Sequence, residues 1–162
     1  AFGIALQLAE RYEEAVEELK KAVKLKPPKS LACNSLGLTY ERMGRYSDAL
    51  DSYSQALQRH VDEVIDKLEK DTGEHLTKTT HIHGKKTAMM NSEIMERMPD
   101  ALRSESTYAI LQDNIGQLHL TLGNLDRAKE CFEESIEYIP DGVEYGGPYF
   151  GLKKIVEIKN DK

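Results

Sequence analysis

The sequence predicts an all-α fold, in which antiparallel helix pairs stack into a solenoid with an irregular insertion and a C-terminal capping helix. Two observations predict it. Apolar residues recur at helical spacing along most of the chain, among frequent helix formers such as Ala, Leu, Glu and Lys. A pattern of small residues also repeats: a slide of 34 residues, the separation of Ala15 and Ala49, places Gly37 over Gly3.

The stretch 36–56 shows the repeating unit most completely. It indicates two short amphipathic helices joined by a tight turn, with Gly44 where a helix end needs a residue that accepts a positive φ. One helical hairpin cannot bury its apolar side alone, so such pairs have to stack. The expected inner positions are Leu36, Gly37, Tyr40, Ala49, Tyr53 and Ala56.

A third copy appears when Ala128 is set over Ala49. Gly116, Gly123, Leu125, Phe132 and Pro140 then fall on the positions of Gly37, Gly44, Tyr46, Tyr53 and Val61. This pattern resembles the tetratricopeptide repeat family, whose period is 34 residues. The departures from the family pattern are Cys33 and Gln112 in place of Trp, His119 in place of Tyr, and Ser135 in place of Ala.

The three copies predict a single domain. The chain starts part-way through a first helix, so we expect it to be cut from a longer protein. The predicted layout is a truncated first repeat over 1–29, a second repeat over 30–63 whose second helix extends to about residue 70, an insertion over 71–104, a third repeat over 105–142, and a capping helix over 146–160.

The insertion and the capping helix have more detailed predictions. The threonines and glycines of 72–87 predict a loop, and the methionine cluster that follows predicts a short helix ending near Pro99 and packed on the extended helix. The expected contacts of that short helix are Val61, Ile65 and Leu68. The capping helix is expected to face inward with Tyr149, Leu152, Ile155 and Val156.

Composition narrows the class of function. The formal charge of −6 argues against nucleic acid as a partner, and no window is apolar for long enough to span a membrane. Cys33 and Cys131 lie in different repeats, so we interpret them as packed thiols in a reducing compartment and expect a cytoplasmic protein. The oligomeric state stays open.

The sequence contains no nucleophile elbow, phosphate-binding loop or zinc-protease motif, so we expect neither an enzyme nor a cofactor. His75, His81 and His83 invite a metal interpretation, because a His-x-His pair can present two imidazoles to zinc. No cysteine or further histidine joins them at ligand spacing. A polar loop is therefore the favoured interpretation, and no metal ligand is assigned.

The resemblance implies a protein-interaction module whose first helices line a concave surface. The amides of Asn34 and Asn114 could each bind an extended backbone. Asn114 matches an asparagine of the carboxylate clamp in some family members, but the partner lysines and arginines are missing, so we expect a neutral or mixed-apolar peptide or partner helix. The expected partner-binding residues are Leu31, Asn34, Ser35, Leu38, Glu41, Arg42, Ile110, Asp113, Asn114, Gln117, Leu120 and Thr121. A regulatory ligand-sensing domain of a larger enzyme or receptor is the alternative.

Overall fold

A computed structural model describes residues 11–25, 29–73, 78–82, 85–89 and 92–161. The predicted helix over 1–9 lies outside them. Within the described residues the chain forms seven helices and two short strands. These are α1 (Tyr12–Val23), α2 (Ser30–Arg42), α3 (Tyr46–Thr72), β1 (Lys78–Ile82), β2 (Lys85–Met89), α4 (Ser92–Arg103), α5 (Thr107–Thr121), α6 (Leu125–Glu137) and α7 (Gly147–Asn160).

The helices stack in chain order, and the predicted all-α solenoid is confirmed. Helices α2 and α3 form one antiparallel pair, and α5 and α6 form the next. Helix α1 packs on α2, α3 packs on α5, and α6 packs on α7. The two complete pairs therefore touch directly, and α4 packs beside them against α3 and α5.

Glycine and aromatic residues set the distance within each pair. A Cβ atom on Gly37 would lie 2.5 Å from Cδ1 of Tyr53, and one on Gly116 would lie 2.6 Å from Cε1 of Phe132. Both rings are completely buried. Only a residue without a side chain lets the ring lie this close to the facing helix. Ala49, Ala56 and Ala128 are also completely buried, as predicted for helix crossings.

The connection between α1 and α2 is held by two charged residues one turn apart on α3. The guanidinium of Arg59 donates to the carbonyl of Val23, at the C-terminus of α1. The carboxylate of Glu63 accepts from the backbone N–H of Ser30 at 3.0 Å and from its hydroxyl at 2.9 Å, at the N-terminus of α2. A cation at a helix C-terminus and an anion at an N-terminus both complement the helix dipole.

A buried histidine lies beside this connection. His60 is 3% exposed, and its Nε2 atom has no hydrogen-bond partner among the described residues. Its Nδ1 atom lies 3.8 Å from the Glu63 carboxylate. Burial lowers the pKa of His60 below its usual value, although Glu63 and Glu105 oppose that shift. The native state therefore favours the neutral imidazole.

The segment after α3 differs from the predicted loop. Strands β1 and β2 form an antiparallel hairpin with Thr80 opposite Thr87. β-branched threonines, which favour extended backbone, occupy both strands, so the composition that suggested a loop also suits a hairpin. The residues 74–77, 83–84 and 90–91 lie outside the described part of the chain.

Helix α4 was predicted to end near Pro99, but Pro99 lies inside it. Pro99 is exposed, while its neighbours Met98 and Leu102 are buried against Val64 and Leu68 of α3. Burial of this apolar stripe offsets the loss of one backbone hydrogen bond at the proline.

Helix α7 buries only part of the side that was predicted to face inward, since Ile155 is buried and Leu152 packs on the same cluster. Tyr149 and Val156 are 55% and 57% exposed, whereas Gly151 and Ile155 are buried. The ring of Phe132 occupies the space that a Cβ atom on Gly151 would need. This close approach fixes the rotation of α7 and turns Tyr149 and Val156 outward.

We expect Gly37→Ala to lower the free energy of unfolding by about 1–3 kcal/mol, because the new methyl group collides with the Tyr53 ring. Alanine's better helix propensity, about 1 kcal/mol, offsets part of this cost. Denaturant unfolding measures the change. In a Tyr53→Leu background the same substitution should cost less, and an equal cost in both backgrounds would contradict the proposed contact.

The stability contributed by His60 should depend on pH. Because its pKa is lower in the folded than in the unfolded state, the contribution is complete above the unfolded pKa of about 6.5 and is lost as the pH falls from there towards the folded pKa. Thermal melts of wild type and His60→Leu between pH 7.5 and 5 measure it. The wild type should lose more stability than the variant, and parallel pH profiles would refute the assignment.

Candidate partner-binding groove

Helices α2 and α5 lie side by side and run in the same direction. In their N-terminal halves, Nδ2 of Asn114 donates to Oδ1 of Asn34 at 2.9 Å. In their C-terminal halves, Leu38, Arg42 and Thr121 line the same hollow. Some of the predicted positions of the second and third repeats therefore meet along one surface. We call the surface between these helices the α2–α5 groove, defined by Asn34, Leu38, Arg42, Asn114 and Thr121.

The asparagine pair forms the centre of the groove. Both side chains are half-buried. Each was expected to bind a ligand separately, but the structure joins them across the two helices. The Nδ2 of Asn34 and the Oδ1 of Asn114 make no other hydrogen bond within the described residues. The pair thus keeps one amide donor and one amide acceptor for a ligand.

A hollow of about 250 Å³ lies at the C-terminal end of the groove. We call it the Leu38 pocket, and it is lined by Leu38, Glu41, Arg42, Tyr46 and Thr121. The Tyr53 hydroxyl donates to the Glu41 carboxylate at 2.7 Å, and burial, followed by this bond, raises the pKa of Tyr53. Arg42 is exposed and makes no ion pair in the part of the chain that the structure describes.

A second hollow of about 180 Å³ lies at the N-terminal end of α5. We call it the Ile110 pocket. Its lining is mostly apolar and comes from α5 and from the connection between α6 and α7. The lining residues are Ser106, Ala109, Ile110, Ile139, Pro140, Val143, Glu144 and Tyr145. Ile110 and Val143 are 37% and 43% exposed, so the pocket presents apolar surface to a partner.

Two of the expected contact residues are buried. Asp113 is 6% exposed, and its carboxylate accepts hydrogen bonds from the Tyr145 hydroxyl and from Nε2 of Gln117. Burial, followed by the bond to Asp113, raises the pKa of Tyr145. Ser35 is equally buried. In this conformation neither side chain is open to a partner.

The two remaining expected residues are Leu31 and Leu120. Leu31 is 65% exposed near the start of α2. Leu120 packs against the cluster formed by α6 and α7. Val143 and Tyr145 were missed by the sequence analysis, because the connection between α6 and α7 has no helical periodicity that would place them. Tyr46, the first residue of α3, was identified only as a position of the repeat pattern.

The described residues offer little support for a metal site, a reactive cysteine or a membrane span. No group of three histidine, cysteine, aspartate or glutamate side chains there could hold a metal ion. His75 and His83 lie outside them. Cys33 and Cys131 are unpaired, and burial raises the pKa of both thiols, which disfavours the reactive thiolate. None of the helices described is long and apolar enough to cross a membrane.

Comparison with known proteins agrees with the geometry. Two models described as "Tetratricopeptide repeat" match the chain, one over residues 30–60 and the other over residues 2–29 and 111–141. Together they cover more than half of the chain. The chain is also 25% identical over 142 residues to Superkiller protein 3 of Schizosaccharomyces pombe. That match covers 85% of the chain and 10% of the relative, so the chain spans about a tenth of the relative's length.

We expect Tyr145→Phe to lower the free energy of unfolding by about 1.5–3 kcal/mol, because it leaves the buried Asp113 carboxylate without one of its donors. Tyr149→Phe is the matched control, since Tyr149 is 55% exposed and should change stability by less than about 0.5 kcal/mol. Calorimetric melts compare the two. Equal effects would show that the contact between Tyr145 and Asp113 contributes nothing measurable.

Proposed function

We propose that this chain, which belongs to the tetratricopeptide repeat family, is a protein-interaction module that binds a segment of a partner protein in the α2–α5 groove. Repeats of this family generally mediate contacts between proteins. The observation that carries the proposal is the amide pair of Asn34 and Asn114, which spans the first helices of two adjacent repeats. This polar centre and the Leu38 pocket supply what a partner segment needs for orientation and affinity.

A protein segment suits the groove better than a small ligand does. The two pockets, at about 250 and 180 Å³, fall below the usual 300–1,000 Å³ of small-molecule sites. A chain of several residues can reach both the Leu38 pocket and the asparagine pair, which lie along the same two helices. This favours the interaction module over the alternative of a ligand-sensing domain.

We further propose that the module is a non-catalytic scaffold or adaptor segment that works in the cytoplasm. Proteins of this family are typically non-enzymatic scaffolds. Unpaired cysteines fit a reducing compartment, and the formal charge of −6 disfavours nucleic acid as the partner.

A displayed library of random peptides tests the binding site. Peptides selected on the wild-type chain should shift the NMR signals of groove residues such as Asn34 and Thr121. Thr121→Arg should weaken the selected peptides at least about tenfold, because the larger side chain fills the Leu38 pocket. Fluorescence polarisation measures the affinities.

Val156→Arg is the matched control, since Val156 is 57% exposed on the outward side of α7. It should leave the affinity unchanged. Selected peptides that shift α7 and lose affinity only in Val156→Arg would contradict the groove as the binding site.

A further inference from the structure

We propose that the Ile110 pocket binds one large apolar side chain of a basic protein segment, which has an arginine or lysine on either side of that side chain. None of the residues that line this pocket belongs to α2, so it is a second contact site, distinct from the α2–α5 groove. The inference goes beyond the proposed function and is tested independently of it.

The size and lining of the pocket suit one apolar side chain. Its volume of about 180 Å³ is below the usual range of small-molecule sites, about 300–1,000 Å³. Ile110, Ile139 and Val143 give it an apolar lining, and two of them, Ile110 and Val143, are 37% and 43% exposed. Single exposed apolar residues are common on protein surfaces, but these two border the same hollow. A partner side chain that enters it removes apolar surface of both proteins from water.

The walls of the pocket are held by hydrogen bonds within the chain. The hydroxyl of Ser135 donates to the carbonyl of Ala109 at 2.7 Å, which ties α6 to α5. The backbone N–H of Val143 donates to the carbonyl of Pro140 at 3.1 Å and closes a turn. The Tyr145 hydroxyl donates to a buried carboxylate of α5, which fixes the end of the same connection. A partner side chain therefore meets a preformed hollow, and its binding has little backbone to order.

The charge around the pocket has one sign. Residues 130–152 include six acidic residues and no lysine, arginine or histidine. Three of these acids lie in or next to the connection between α6 and α7, namely Glu137, Asp141 and Glu144, and all three are exposed. None of the three forms an ion pair within the described residues. Glu144 itself lines the pocket. A basic segment complements this charge, and an acidic one would be repelled.

The cation that lies against this part of the chain has other partners. The guanidinium of Arg103, on α4, donates to the backbone carbonyl of Glu137 at 3.1 Å. The same guanidinium lies 3.5 Å from the carboxylate of Asp100 and over the ring of Tyr138. Because Arg103 pairs with Asp100 on its own helix, the exposed carboxylates of the connection remain available to a basic partner.

Capped synthetic peptides, added to the isotopically labelled chain and followed by NMR, test the inference. The lead peptide has one leucine between two arginines in a glycine–serine background. One control peptide has alanine in place of the leucine, and the other has glutamate in place of both arginines. The lead peptide should shift the methyl signals of Ile110 and Val143 at millimolar concentration. Each control should bind at least about fivefold more weakly, because it lacks either the apolar anchor or the complementary charge.

Two pairs of matched variants locate the site. Val143→Ser should weaken the lead peptide at least about threefold, whereas Val156→Ser, on the outward side of α7, should leave its affinity unchanged. Glu144→Gln should weaken it by a similar factor, whereas Glu13→Gln, an equal loss of charge on α1, should have no effect. All four positions are exposed, so each variant should fold, and the dispersion of its amide signals checks this.

The results that would overturn the inference differ in what they indicate. Equal binding of the alanine control would show that charge alone attracts the peptide, and equal binding of the glutamate control would exclude a basic partner. Shifts confined to Asn34 and Thr121 would place the peptide in the α2–α5 groove instead. An absence of shifts at millimolar concentration would also refute the inference.

A second copy of this chain is the other occupant to be tested, by sedimentation at increasing protein concentration. The chain should not associate through this pocket. Self-association that Val143→Ser abolishes and Val156→Ser does not would make a second copy the occupant and overturn the inference. None of these outcomes decides whether library peptides bind the α2–α5 groove, so the proposed function is judged separately.

Discussion

The close contact between a helical glycine and a buried aromatic ring is the constraint on which the stack depends. Tyr53 lies against Gly37 in one pair, and Phe132 lies against Gly116 in the next. Phe132 also fills the space beside Gly151 of α7. A single ring therefore sets the approach of two helices to α6, and the rotation of α7 follows from it.

The same packing brings the groove together. Ile115 and Leu118 of α5 enter one cluster with Leu36 and Tyr53 of the preceding pair, so α5 is placed by the core. Asn114 and Thr121, on the adjoining side of α5, then face the α2–α5 groove. Because α3 and α5 pack directly, α4 can pack beside them without separating the two helix pairs.

The sequence predicted those structural features that depend on a small residue at the same position of each repeat. Gly44 adopts a φ of +71°, which residues with a Cβ atom rarely adopt, and Ala128 is completely buried where a larger side chain would force the helices apart. The features that the sequence did not predict depend on contacts between segments that are distant in the chain. The burial of Asp113 follows from a hydroxyl 32 residues away, and Pro99 remains helical because its neighbours pack on α3. Neither effect leaves a periodic signal in the sequence.

The sequence predicted both residues of the asparagine pair. It did not predict the hydrogen bond between them. That bond changes how the groove works. Each amide is already held by the other, so a ligand orders little that was free before it arrived. Each amide also retains a free polar atom, so a ligand does not have to break the pair. A pre-ordered polar centre beside one small pocket favours recognition of a polypeptide backbone over recognition of any one large side chain.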